Sequence, residues 1–578
     1  PSRPCRTCSL NECVMTQNSK ITAIPDRATV VVVGGGINGI SVFRDLALQG
    51  IDVVLLEQGD FCSGASAALS RMVHGGLRYL ENGEFRLVRQ SLQERDFLLR
   101  NAPHYVFPLP TLVPIFDLVR GSFTSLKRFI GFGRGPSRRS AVMIKIGLML
   151  YDWLSRKSRS MPAHKFVSGR KLRKLAPFIT GKARCGAIYY DAWVKYPERL
   201  GVEMILDTRG ACPDAHAFSY VGVEKVDGAD IHWRDRLTGE TGTISPDLVV
   251  NATGAWVDFT NLALAGEQPN NTPRFVRGTK GSHLMIRNDQ LTAALGDRMV
   301  YYENADGRIC IAFNYLGVSL VGSTDILIDD PERARCEASE KDYMLEALRF
   351  VFPDIEVARA DIVHVFTGVR PLPVSDVDAT GRISRDHSHR EQEPTDKRAF
   401  PVISLIGGKW TTFRIFGEEI TDVVLERLGK QRRCRTTDLK IGGGRDFPVT
   451  RDEHDQWVLA ASTRFGLARD AFDLLVERYG SRAVDIARFC TAKADIPLHA
   501  AKGYSRGEIE FLIRNENVRS LADILLRRTS IGLEGGISSA VIDEIGQMTA
   551  DVLGWSPAEL DRHKQLLAEE MGKKHSII

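Results

Sequence analysis

Hydrophobic positions along this chain fall into three patterns. The first is the short unbroken apolar run. Thr29 is followed by four valines, and residues 51–56 form a second such run. Neither leaves a polar face, which suits strands buried on both sides. Between them Ile40, Phe43, Leu46 and Ala47 recur at helical spacing, with Gly50 placed to end that helix. The second pattern is the amphipathic helix. From residue 84 to 100, Phe85, Leu87, Val88, Leu92, Phe97 and Leu98 alternate with charges, and Pro103, Pro108, Pro110 and Pro114 then exclude a helix. The third is a series of strand-like runs, 186–194, 230–233, 248–258, 277–286, 317–325 and 363–372. No helix separates each pair, so a mixed or antiparallel sheet is expected in a second domain. Past residue 444 the glycine-rich motifs stop. Val541, Ile542, Ile545, Met548 and Val552 are helically spaced, and Ser556-Pro557-Ala558-Glu559 has the form of a capping box. The expected organisation is a tail over 1–26, an α/β part over 27–444 and an all-helical domain over 445–578.

Glycines sharpen the first element. Gly34, Gly36 and Gly39 stand in a G-x-G-x-x-G turn between the first strand and its helix, and Glu57 closes the second strand. That is the dinucleotide-binding pattern. The first glycine permits the turn, the second lets backbone approach a pyrophosphate, and the third lets helix and strand pack. Glu57 would accept from a ribose hydroxyl. A glycine-rich turn without a ligand is the alternative, and these residues alone do not choose the dinucleotide.

Length and composition add limits. At 578 residues two or three domains are expected, with 43% hydrophobic and 26% charged residues as in soluble globular proteins. The net charge of +5 singles out no partner. Its distribution says more: residues 118–165 carry eleven Lys or Arg and one acid, Asp152, mixed with Phe123, Phe129, Phe132, Tyr151 and Trp153. A membrane surface and a solvated basic face fit this equally, and nucleic acid has no recognition motif to support it. No run is long enough to span a bilayer. The opening residues have no apolar core of a secretory signal. Met15 offers a translation start, so the tail with Cys5, Cys8 and Cys13 reads as disordered or non-native. Scattered single cysteines suggest a reducing, intracellular setting and no metal site is expected.

Later motifs point further. GGGINGISVFRDLALQG, HGGLRYLENGEFRLVR, VVNATGAWVD, KGSH, VGSTD, TGVRPL, SRD, GGKWTTFR and LADILLRRT occur in this order. In them the chain resembles the FAD-dependent glycerol-3-phosphate dehydrogenases over roughly residues 28–554. The resemblance implies a glutathione-reductase-like FAD-binding Rossmann domain, a mixed-sheet substrate domain and a helical C-terminal domain. It also implies peripheral attachment to the inner face of the cytoplasmic membrane, where quinone takes the electrons. A homodimer remains open.

The same resemblance assigns residues. Arg78, Arg370 and Arg385 would hold the substrate phosphate, a task suited to the bidentate guanidinium, with Tyr79 beside them. His283 is the candidate general base, with Arg385 and Lys409 as its catalytic partners. Asn38, Ser66, Ser70, His74, Gly75, Gly254 and Gly408 would line the FAD site. Lys409 would sit near the flavin, and the Thr411-Thr412 helix start would direct N–H groups to its C2 carbonyl.

Two departures bear on the substrate. Arg71 stands where the family commonly has lysine, and DAWVKYPERL (191–200) replaces a run with two adjacent acids. A tetritol phosphate is therefore an alternative substrate, and oxygen an alternative acceptor. An amino-acid oxidase of the same architecture would lack HGGLRYLE. A non-catalytic flavoprotein would not need Arg78, His283, Arg370, Arg385 and Lys409 together.

Overall fold

The computed structural model describes residues 23–80, 84–118, 140–156, 160–265, 274–304, 307–374, 386–493 and 495–575. Most of the tail, half of the basic stretch and Arg385 lie outside these residues. The valine run forms strand Arg27–Val33, flanked in parallel by Val53–Leu56 and Thr241–Asn251. His216–Phe218 and Val402–Ile406 extend this parallel sheet, and Ser388–Gln392 closes one edge in antiparallel sense. Both faces are covered, as an all-apolar strand requires. Val30 and Val32 pack with Ile40, Phe43 and Leu46 of helix Ile37–Leu48, while Val31 and Val33 pack with Phe218, Ile231, Trp233 and Ile244 beneath an antiparallel flap. The sheet is thus the Rossmann-type layer expected from the sequence.

A second sheet is built around strand Val276–Ile286. On one side it pairs antiparallel with Ile362–Pro373. On the other it meets two pieces of an interrupted strand, Val318–Gly322 and Ile326–Ile328. Outward follow Ile309–Tyr315, Met299–Glu303, Val106–Ile115 and Cys185–Val194. The strand Val106–Ile115 was hidden in the sequence by Pro108, Pro110 and Pro114. Its outer flank pairs along its length with Cys185–Val194, whereas its inner flank, towards Met299–Glu303, pairs only at Thr111 and Leu112. Prolines are tolerated where one flank asks for few N–H donors.

From Arg451 onward the described residues form helices around Phe472, Ile486, Ile509, Leu512, Leu525, Ile545 and Leu567. The Ser556–Glu559 capping box is present with Pro557 in the first turn. Buried charges join these helices to the parallel sheet. Asp60 follows the second strand and accepts from Arg527 Nε at 2.6 Å and from Arg528 Nη1 and Nη2 at 2.7 and 2.8 Å. Arg199 reaches Glu516 at 2.8 and 2.9 Å. Burial alone would push the Asp60 carboxyl up, but the two guanidiniums outweigh it and hold it below the ordinary carboxylate range. Removing one partner of such a cluster strands the other charges without water. Asp60→Ala is expected to destabilise the protein by about 3–5 kcal/mol at neutral pH, seen as a lowered urea midpoint.

Candidate active site

The dinucleotide turn leaves a helix end open. Gly34 holds φ at +108° and donates its N–H to the Leu56 carbonyl at 2.8 Å. At Gly39 a Cβ would lie 1.9 Å from the Gly34 carbonyl oxygen, so only glycine lets helix Ile37–Leu48 rest on the strand. Gly36 caps that helix with no side-chain acceptor, and no acid lies in its first turn. A Cβ there would meet only Ser66 Oγ, at 3.4 Å, while Ser66 Oγ accepts from Ile37 N–H at 2.9 Å. This is an uncrowded helix N-terminus suited to phosphate. Asn38 Oδ1 is buried without a hydrogen-bond partner among the described residues. Glu57 takes the Gly35 and Gly59 N–H groups at 2.6 and 2.8 Å, one on each oxygen. That fixes its carboxyl while leaving lone pairs for a ribose, and burial pushes its pKa up. Gly254 borders the same turn with nothing within 4 Å of where a Cβ would be. Ser70 is half-buried farther along the loop that carries Ser66.

At the other end of the groove strand Val402–Ile406 runs into Gly407 and Gly408. Gly408 has φ of +89°, and a Cβ on it would fall 2.7 Å from Asn38 Nδ2. That close approach brings Lys409 and the Trp410–Thr412 turn to the head of the first helix. Thr411 and Thr412 are buried, and Thr412 opens helix Phe413–Arg427 without capping it. Its Oγ1 has no hydrogen-bond partner among the described residues. Lys409 Nζ stands 3.6 Å from the centre of the Tyr79 ring, and the His74 ring lies 6.1 Å from Tyr79. Gly75 is held from behind: its N–H donates to Tyr151 Oη at 3.0 Å and Asp191 Oδ1 at 3.1 Å. Arg95 Nη1 completes that buried set, 3.2 Å from Asp191. Arg78 is in the short helix Leu77–Leu80, but its side chain lies outside the described structure, as does Arg385.

The second sheet supplies His283 and Arg370. His283 is opposite Gly322 on one neighbouring strand and Phe366 on the other. Its imidazole lies over Gly322, where a Cβ would come within 2.2 Å, and stacks on Phe366 at 5.0 Å. Both ring nitrogens are buried with no hydrogen-bond partner among the described residues. Burial first, then the Arg370 and Arg71 charges, push its pKa down to about 3. The unfolded chain therefore binds this proton more readily, and the stability contributed by His283 falls as pH drops from about 6.5 towards 3. Arg370 spans the strand interruption at residues 323–325. Its Nη1 reaches Asp325 Oδ1 at 3.1 Å and the Thr324 carbonyl at 3.4 Å, and a Cβ at Gly281 would lie 2.3 Å from Nη2. The Arg370 side chain is 28% exposed, so it can meet a solute. Glu340 fastens the interruption, accepting from Thr324 at 2.7 Å, Ser282 at 3.0 Å and Lys280 at 2.8 Å.

Expected residues thus gather in three places: Gly34, Gly36, Asn38, Gly39, Glu57, Ser66 and Gly254 at one end of the groove; His74, Tyr79, Gly408, Lys409, Thr411 and Thr412 at the other; His283 and Arg370 on the second sheet. Gly368 joins the sheet to the groove, since a Cβ there would touch Ala68 at 2.8 Å. Arg71, Asp191 and Glu198 were not assigned roles from the sequence. The signal was present in that Arg71 and the 191–200 run both departed from the family pattern.

A family profile described as FAD dependent oxidoreductase matches residues 29–422, and one described as the C-terminal domain of alpha-glycerophosphate oxidase matches 434–560. A glycerol-3-phosphate dehydrogenase of Synechocystis sp. is 33% identical over 94% of this chain and 96% of its own. The chain belongs to the FAD-dependent glycerol-3-phosphate dehydrogenase family. A second member, from Pseudomonas tolaasii, is 31% identical over 87% of this chain and 92% of its own. The glycerol-3-phosphate dehydrogenase of Bacillus halodurans, solved with FAD, shares the fold with a TM-score of 0.70 at 22% identity, covering 95% of each chain.

The groove fits the FAD of this family. Two uncapped helix ends face it, and the orphaned Asn38 Oδ1 and Thr412 Oγ1 are the buried polar atoms a ligand would satisfy. Gly39→Ala is expected to yield protein without bound flavin, measured as the ratio of flavin to protein absorbance.

Proposed function

We infer that this enzyme oxidises the secondary alcohol of a small phosphorylated polyol, sn-glycerol 3-phosphate in the first place, to the ketone dihydroxyacetone phosphate. Membrane quinone is its electron acceptor in this reading. The observation that carries it is His283, a sealed neutral imidazole with both nitrogens unpartnered among the described residues, beside the partly exposed guanidinium of Arg370. Oxidation of an alcohol needs a base for the hydroxyl proton and a fixed cation to place the phosphate. Burial and the neighbouring guanidiniums hold the His283 imidazole unprotonated at neutral pH, so it can take the proton at a ring nitrogen. Arg370, with Arg78 and Arg385, holds the phosphate. FAD supplies the hydride acceptor. Lys409 and the uncapped start of helix Phe413–Arg427 favour extra negative charge at that end of the groove. The names of the curated relatives support the same substrate.

The membrane reading has its own support. Helix Ala141–Leu154 exposes Val142, Ile146, Met149 and Trp153 on one face, Trp153 by 65%. Lys145 lies exposed among them, and the one acid, Asp152, is tied to His164 Nδ1 at 2.8 Å. An apolar stripe with a basic margin and a terminal Trp suits a bilayer surface. The buried side of this helix carries Tyr151, which touches Gly75, so a lipid-borne acceptor would arrive next to the groove. No helix of the described residues is long and apolar enough to cross a membrane. Peripheral attachment to the inner face of the cytoplasmic membrane follows from this reading.

Anaerobic sn-glycerol 3-phosphate is expected to bleach the flavin faster than tetritol phosphates do, and free glycerol is expected to leave it oxidised. Bleaching by a tetritol phosphate alone would reassign the substrate. His283→Asn is expected to slow bleaching by about 10²–10⁴-fold. Arg370→Ala should raise the substrate concentration needed while FAD stays bound. Sedimentation with anionic vesicles should be lost in Met149→Glu/Trp153→Glu, and binding that persists would remove the helix from the interface.

A further inference from the structure

Arg71 lies behind the groove and is fully buried. Its Nη1 donates to Glu198 Oε1 at 2.6 Å and its Nη2 to the Ala67 carbonyl at 3.0 Å. Its backbone holds φ of +58°, a left-handed conformation unusual for arginine. The guanidinium carbon stands 5.2 Å from the centre of the Phe366 ring and 5.3 Å from that of Tyr315. Phe366 is also the ring on which His283 stacks. One aromatic plate therefore carries both a permanent cation and the proposed base. Arg370 is open enough to touch substrate, whereas Arg71 has its terminal nitrogens committed to Glu198 and the Ala67 carbonyl and acts through a neighbour.

We propose that Arg71, locked in place by Glu198, is a positioning residue for His283: a permanent positive charge at the shared Phe366 ring that keeps the imidazole free to accept the substrate proton. The proposal rests on His283 being the base. A guanidinium stays charged at any working pH, and a like charge nearby in a low-dielectric interior disfavours the imidazolium. The charges that reach His283 among the described residues are Arg370 from the strand Ile362–Pro373 and Arg71 from the loop before Met72. Asp325 stands on the first and Glu198 on the second. Tyr315 lies against Arg71, and His364 on the Phe366 strand faces His575 at 4.6 Å. Glu198 Oε1 and the Ala67 carbonyl together fix the Arg71 guanidinium in place.

The test is the pH dependence of anaerobic flavin reduction at saturating sn-glycerol 3-phosphate, read within the first turnover after a rapid jump to each pH from about pH 2.5 to about pH 8, so that the acid limb near the depressed His283 pKa falls inside the range. Each variant is first checked for flavin content by absorbance. Arg71→Met is expected to raise the apparent pKa of the acid limb by about one unit. Arg71→Lys, which restores the charge, should return it to the wild-type value. Glu198→Gln removes the opposing charge and should leave the limb no higher than wild type. A limb unmoved in Arg71→Met, or raised equally in Arg71→Lys or Glu198→Gln, would overturn the proposal. Should Arg71→Met not hold flavin, Arg71→Gln carries the same expectation. A wild-type reduction rate in His283→Asn would instead sink the assignment of the base and leave the Arg71 question separate.

Discussion

Helix Ile37–Leu48 sits on its strand at a distance that only a missing side chain allows. The Gly39 position lies so near the Gly34 carbonyl that any Cβ would collide with backbone. Everything else in the groove is placed from that contact. It sets the helix end where two phosphates can meet bare N–H groups, and it puts Asn38 where Gly408 can close on it. Gly408 in turn delivers Lys409 and the start of a second helix. A ligand long enough to touch both helix ends is the natural occupant, which is why the arrangement selects a flavin dinucleotide rather than a shorter nucleotide.

Chemistry enters from the other sheet. There the strand interruption at residues 323–325 replaces ladder pairing with a seat for the Arg370 guanidinium, and a small residue at Gly322 lets His283 lie flat. Burying an imidazole without hydrogen bonds is unfavourable for its charged form, and two nearby guanidiniums add to that. The penalty is larger for the imidazolium than for the neutral ring, so the same environment that costs stability in acid keeps His283 unprotonated at neutral pH. The strain and desolvation are offset elsewhere, in the valine-lined sheet and in the Asp60–Arg527–Arg528 cluster that joins the helical domain to it.

Local features were legible in the sequence. Four valines, three glycines and Glu57 are close in the chain, and the physics that arranges them acts over one strand, one turn and one helix. The Ser556–Glu559 capping box was legible for the same reason. Val106–Ile115 was not, because its prolines speak against regular structure and only its long partner strand shows that one flank can spare the donors. Arg71 and Glu198 are separated by 127 residues, and each looked like an isolated departure from a family pattern. Their meaning is a pairing, which appears only when the loop after Ala67 and the helix start at Pro197 are brought together. The placement of His283 and Arg370 side by side is likewise a matter of register between strands far apart in the chain.

In the reaction proposed, the C2 hydrogen of a polyol phosphate leaves as a hydride while a neutral His283 takes the hydroxyl proton. The most direct measurement is the rate of anaerobic flavin bleaching by sn-glycerol 3-phosphate carrying deuterium at C2, against the unlabelled compound. A primary isotope effect of several-fold is expected, persisting in His283→Asn at a much lower rate. Equal rates for the two substrates in both proteins, or no bleaching by either, would contradict it.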